Sequence, residues 1–276
     1  MHLNFDFSAV QILWTLTFAA ILVLLVVLLG RDRARIYPWF TVSIALMGLR
    51  LLASRLLYGR LAPIPMNAIF LNLALIAGVV SLLVLVELAR RAFVGASRRA
   101  WTIGTLVLLA ASVTVVALWG PWPALKTLTV DSLLAGLRLE QFITQKFDLI
   151  VDMLSIGLGL VIAVFGRRFV AGFRSHTQQI IIGLSTVALA QTAVRAIWQL
   201  IASHAAPTTQ AEYERVLGLQ EKLYNASSAI FVLALVWWIV CLWINEPGTE
   251  TPAGASTASS NETIGVSTQT VEGHGE

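Results

Sequence analysis

The chain has 276 residues, of which 57% are hydrophobic and only 12% charged, with a formal net charge of +4. A globular surface carries about twice that share of charge, so composition excludes a soluble domain. The lone Cys241 excludes an internal disulfide and a cysteine-rich metal site.

A membrane span needs about 20 mostly apolar residues. Seven stretches meet this length, near 8–29, 38–58, 67–88, 101–119, 146–166, 179–203 and 223–244. Each must be helical, because lipid offers no partner for an exposed backbone N–H or C=O. The expectation is an all-α, seven-transmembrane-helix bundle over residues 1–245, followed by a disordered tail over 246–276. The first apolar run has no basic residue before it and exceeds a normal signal-peptide core, so it reads as a span. Between spans four and five, the turn signal Gly120-Pro121-Trp122-Pro123 precedes a short amphipathic helix around Val130–Leu139, which lies at the interface or continues into span five. The stretch Ala211–Lys222 reads as helical before span seven. The tail is rich in Gly, Ser, Thr, Ala, Pro and Glu and has almost no apolar content.

Arginines gather in three alternate connections: Arg31, Arg33 and Arg35; Arg90, Arg91, Arg98 and Arg99; Arg167, Arg168 and Arg174. The opposite connections hold Arg60, then Lys126, Arg138 and Lys146, then Arg215 and Lys222, diluted over longer loops. Short, arginine-dense loops are retained in the cytoplasm, which places the N-terminus outside and the C-terminus inside. The basic excess suits anionic lipid headgroups and is no sign of a nucleic-acid partner. Trp14, Trp39, Tyr58, Trp101, Trp119, Trp122 and Trp243 sit at span ends and read as interfacial anchors. The Arg- and Ala-rich composition points to a GC-rich bacterium and its inner membrane.

Ionisable residues inside a span usually face the bundle interior and a partner. In span five, Gln141, Gln145, Asp148, Asp152, Ser155 and Gly159 recur at steps of three and four, which puts them on one helix face. Span six runs the opposite way and carries Gln191, Arg195 and Trp198 or Gln199 on one face. Counting about 1.5 Å per residue from the span ends brings Asp152 and Arg195 to similar depth. Arg50 and Arg55 in span two and Asn72 in span three also fall in the outer half. The inner half reads as featureless apart from Glu87, expected to pair with Arg90 and Arg91. Arg50, Arg55, Asn72, Asp148, Asp152, Gln191, Arg195 and Trp198 are thus the candidate ligand-binding residues, around a net-positive outer cavity suited to an anion. The alternative is an ion-pair network that locks helix packing.

No bis-His geometry for haem, no lysine within the last span for a retinal Schiff base and no catalytic motif is present, so no cofactor, metal or enzyme activity is expected. The expected function is a receptor-like or sensory module that binds a small polar or anionic molecule and signals through a separate protein on the cytoplasmic side or in the membrane. Two other readings compete. One is an accessory subunit of a membrane complex, with Ala74, Gly78 and Ser81 as a small-residue face. The other is a solute transporter of two three-helix repeats joined by span four. Recurrences of Ala-Ile-Phe (68–70 and 229–231), Gly-Arg (30–31 and 166–167) and Ala-Pro (62–63 and 206–207) support that 3+1+3 division. It loses ground because no proline interrupts spans two to seven.

Overall fold

The computed structural model describes residues 9–57, 60–93, 98–119, 133–165, 175–204 and 209–244. The compact unit Met1–Ile244 contains all of them. The expected tail, the Gly120–Pro123 turn, Tyr58 and the basic residues Arg167, Arg168 and Arg174 lie outside the described residues.

Among the described residues the fold is all-helical. The helices are α1 (Ala9–Gly30), α2 (Arg33–Ile36), α3 (Pro38–Leu57), α4 (Pro63–Ala92), α5 (Arg98–Leu118), α6 (Leu133–Phe165), α7 (His176–His204) and α8 (Gln210–Trp243). Six of them, α1, α3, α4, α6, α7 and α8, are long and apolar enough to cross a membrane; the apolar part of α5, Thr102–Leu118, is shorter. The helices begin where sequence chemistry allows. Pro38 opens α3 at a position whose N–H would have no partner within the helix. Pro63 does the same for α4. Thr209 and Glu212 form a reciprocal capping box at the start of α8. Between α1 and α2 the chain reverses at Asp32, whose φ of 53° lies in the left-handed region that Asp tolerates.

The amphipathic stretch expected before span five does not lie apart at an interface. Its described part, from Leu133, continues into α6, a single helix of 33 residues, and residues 130–132 lie outside the described residues. The polar stretch before span seven likewise belongs to α8, of 34 residues. At 1.5 Å per residue both exceed the roughly 30 Å hydrocarbon thickness, so each projects beyond it.

Neighbouring helices form a closed ring in the order α1, α3, α4, α6, α7, α8 and back to α1, while α5 packs chiefly against α6 from outside. Residue pairings fix the directions. Gly48 lies beside Ile21 and Arg55 stacks over Trp14, so α3 is antiparallel to α1. Glu87 reaches the start of α3, so α4 is antiparallel to α3. Arg195 meets Asp152, and Gly183 meets Trp238, which makes α7 antiparallel to both α6 and α8. Arg31 lies over Trp243, so α1 and α8 run parallel. Gly157 abuts Leu108 and Lys146 donates to the carbonyls of Val116 and Trp119. These pairs set α5 antiparallel to α6 at matching depth.

The core is concentrated toward the end of the bundle where α3 starts, here termed the Tyr37 end. Ile21, Leu24, Leu28, Phe40, Ile44, Leu88, Ile180, Leu235, Trp238 and Leu242 are fully buried there. Phe40 and Trp238 meet edge to face with ring centroids 5.3 Å apart, a favourable aromatic geometry. Outward-facing residues such as Val26, Leu29 and Val164 are apolar and exposed, as a lipid-facing surface requires.

Candidate functional site

At the opposite end, where α1 begins, lies a cavity of about 700 Å³. Helices α1, α3, α4, α7 and α8 contribute its walls. Its charged groups are Arg50 from α3 and Arg195 from α7; Gln191 stands one turn from Arg195 on the same helix. Ser54, Asn225 and Ser228 add hydroxyl and amide groups. The remaining wall is largely apolar and aromatic, with Trp14, Phe70, Tyr224 and Phe231. Below it, Ile21 and Met47 begin the packed core.

Arg195 is aimed by a partner that stands behind it. Its Nη1 donates to Asp152 Oδ2 at 2.8 Å. Asp152 belongs to α6 and lies off the cavity wall. A carboxylate in that place holds the guanidinium in one orientation through a charge-assisted bond, with other N–H groups left to point elsewhere. Asp148, one turn earlier on α6, interacts electrostatically with both Arg195 and Arg50. Among the described residues, no carboxylate comes within ion-pair distance of Arg50.

Of the eight sequence-predicted site residues, Arg50, Gln191 and Arg195 line the cavity. Asp152 and Asp148 support it from α6. The other three stand elsewhere. Arg55 is exposed and stacks on Trp14, 5.9 Å from the ring centroid. Asn72 is exposed and donates to Ala68 O of its own helix. Trp198 is half-buried and away from the cavity wall. The polar seam of α6 also splits. Asp152 and Ser155 are buried, whereas Gln141 and Gln145 are exposed. Gly159 allows close approach of α7, where Ser185 donates to Ser155 O at 2.8 Å.

Sequence reasoning missed the aromatic part of the site. Trp14 and Tyr224 face the cavity mouth, and the only available signal was that aromatic residues from three different spans fall at one depth. The expectation of a featureless opposite half is corrected. The Tyr37 end holds a buried polar cluster: His176, Thr177 and Gln178 at the start of α7. Tyr37 and Thr177 share a hydrogen bond of 2.9 Å, and His176 Nε2 donates to Ile244 O at 2.9 Å. Glu87 lies within electrostatic reach of Arg91, but its hydrogen bonds are to α3. It accepts from the backbone N–H groups of Trp39 at 3.1 Å and Phe40 at 3.2 Å. Arg91 itself donates to Ile36 O. These contacts tie five helix ends together.

Comparison with protein-family models, curated proteins and solved structures finds no match for this chain.

Proposed function

We propose that the chain is a seven-crossing membrane protein, N-terminus outside, that binds a small polar or anionic molecule in the cavity at its outer end. Occupancy would be read by a separate protein at the arginine-rich inner side. One observation carries this reading: Arg195 lines an open, 700 Å³ cavity while a buried carboxylate behind it holds it in place. A purely structural ion pair has no need of an adjoining cavity of ligand size. The packed core beneath supports a site that opens on one side only. The placement of α5, alongside α6 at the same depth, supports seven crossings. Native mass spectrometry of the gently solubilised protein tests the proposal. An extra mass of a few hundred daltons, lost in Arg195→Ala, is the expected result. A bound protein with an empty cavity would replace it with the accessory-subunit reading.

The ring order favours the transporter as a second reading. Helices α1, α3, α4 and α6, α7, α8 form two consecutive triplets of matching direction, and α5 stands outside as the connection between them. The two triplets meet along parallel seams, α4 with α6 and α8 with α1. Such parallel repeats place a substrate site between them. Uptake of a labelled anion into proteoliposomes would support transport; binding without uptake would favour the receptor. The subunit reading gains nothing from span three: Ala74 and Gly78 are buried within the bundle, Gly78 against Phe147 of α6.

A further inference from the structure

The helix registers locate the cavity's charged groups relative to its aromatic ones. The contacts of Arg55 with Trp14 and of Gly48 with Ile21 set α3 against α1. Arg50 therefore falls at a depth between Trp14 and Ile21. The contacts of Gly183 with Trp238 and of His176 with Ile244 set α7 against α8. Gln191 is then level with Phe231, and Arg195 with Ser227, while Tyr224 lies nearer the mouth. On the α1–α3 register Trp14 lies outward of Arg50, and Phe70 lines the cavity from the first half of α4. The cavity thus has Arg50 and Gln191 deeper than Trp14 and Tyr224, with Phe231 level with Gln191 and Arg195 nearer the level of Trp14. Its volume of about 700 Å³ falls in the range of sites that take organic molecules of drug size, and far exceeds a single oxyanion.

From this layout we infer that the ligand is an amphipathic anion. Its carboxylate or phosphate enters first, toward Arg50, Arg195 and Gln191, and its apolar or aromatic body stays among Trp14, Phe70 and Tyr224. This rests on the proposed reading of the cavity as a binding site. The same chemistry is offered by a free organic acid and by an anionic lipid, whose headgroup would enter and whose chains would remain at the mouth.

Calorimetric titration of the full chain in phosphatidylcholine nanodiscs tests the inference, with empty nanodiscs as the blank. The probes are 4-phenylbutyrate, which has both parts, 4-phenylbutan-1-ol, which lacks the charge, and acetate, which lacks the body. Phenylbutyrate should bind at least about tenfold more tightly than either, since each missing part removes on the order of 1.4 kcal/mol or more. Arg50→Gln should weaken phenylbutyrate by about tenfold or more through loss of a charge-assisted bond. Its melting temperature should not change, because Arg50 is exposed. Arg195→Gln paired with Asp152→Asn repeats the test without stranding the Asp152 carboxylate. Equal binding of the alcohol, or of acetate, overturns the amphipathic anion; acetate binding that Arg50→Gln weakens would leave the site itself standing. Binding by none of the three, with no extra mass in the native spectrum, would overturn both. Adding phosphatidylglycerol separates the sources: a weaker apparent affinity for phenylbutyrate identifies a lipid competitor, an unchanged one a free acid.

Discussion

Arg195 and Asp152 bond at 2.8 Å but are unequally buried: the Asp152 side chain is 12% exposed and that of Arg195 37%. The consequences of removing each partner therefore differ. Arg195→Leu strands a carboxylate in the interior, whereas Asp152→Leu leaves a guanidinium that still reaches the cavity. We expect a loss of about 2–4 kcal/mol for the first and about 1–2 for the second, with a double substitution well short of the sum. Thermal unfolding in mild detergent gives the order. Equal or additive losses would show that the two side chains do not act as a pair.

Glu87 offers a second asymmetry. Pro38 has no N–H, and the next two amides of α3 both point at the Glu87 carboxylate. A negative group at a helix N-terminus satisfies orphan donors and opposes the helix dipole. Glu87→Leu should cost about 1–2 kcal/mol, in the range of lost N-caps, and Glu87→Gln less, because an acceptor oxygen remains. If Glu87 acted mainly on Arg90 and Arg91, then Arg91→Gln would unfold at the same lower temperature as Glu87→Leu. The capping geometry predicts that it does not.

Helix crossings impose a third. An added Cβ at Gly183 would run into the indole of Trp238, which is 1% exposed and T-stacked on Phe40. At Gly104 it would meet nothing. Gly183→Ala should lower stability by about 1–3 kcal/mol through overpacking. Gly104→Ala should be neutral or stabilise by up to about 1 kcal/mol from helix propensity. Gly157→Ala falls between them, because the flexible end of Leu108 can move aside. The same melting assay ranks all three, and a reversal of the Gly183 and Gly104 results would contradict the packing described.

A fourth concerns the buried cluster at the Tyr37 end. Tyr37 is 3% exposed and Thr177 8%, so their hydrogen bond is shielded from water. Tyr37→Phe should cost about 1–3 kcal/mol by leaving Thr177 unsatisfied, and adding Thr177→Val should recover part of that loss. A double variant less stable than Tyr37→Phe alone would place the stabilisation elsewhere.

What the sequence makes legible follows from physics along one axis. Hydropathy and the rise per residue fix depth, so Asp152 and Arg195 could be brought level on antiparallel spans before any contact was known. Azimuth is another matter. Depth alone placed Arg55 and Asn72 beside them, but the helix face each occupies is set by which neighbours close the ring, and both turn outward. The ring order itself, with α5 outside, depends on interactions between distant segments such as Gly157 with Leu108. The polar cluster at the Tyr37 end escaped for a related reason. His176, Thr177 and Gln178 precede the apolar run of span six, where hydropathy says nothing of burial, yet they are buried against neighbouring helix ends.

Cys241 opens the way to a test of topology. It is the chain's one cysteine and is buried, so Cys241→Ser supplies a cysteine-free background at modest stability cost. Single cysteines at the exposed positions Arg35, Arg60 and Arg138 then report on each side of the membrane. Positive-inside retention predicts that a membrane-impermeant maleimide labels Arg60→Cys on intact cells, and Arg35→Cys only after permeabilisation. Arg138 decides the role of α5. It lies near the start of α6, which the pairing of Gly157 with Leu108 and of Lys146 with Trp119 sets antiparallel to α5. If α5 crosses, Arg138→Cys is labelled from outside together with Arg60→Cys. Labelling of Arg138→Cys only after permeabilisation would mean that α5 does not cross, and the seven-crossing reading would fall with it.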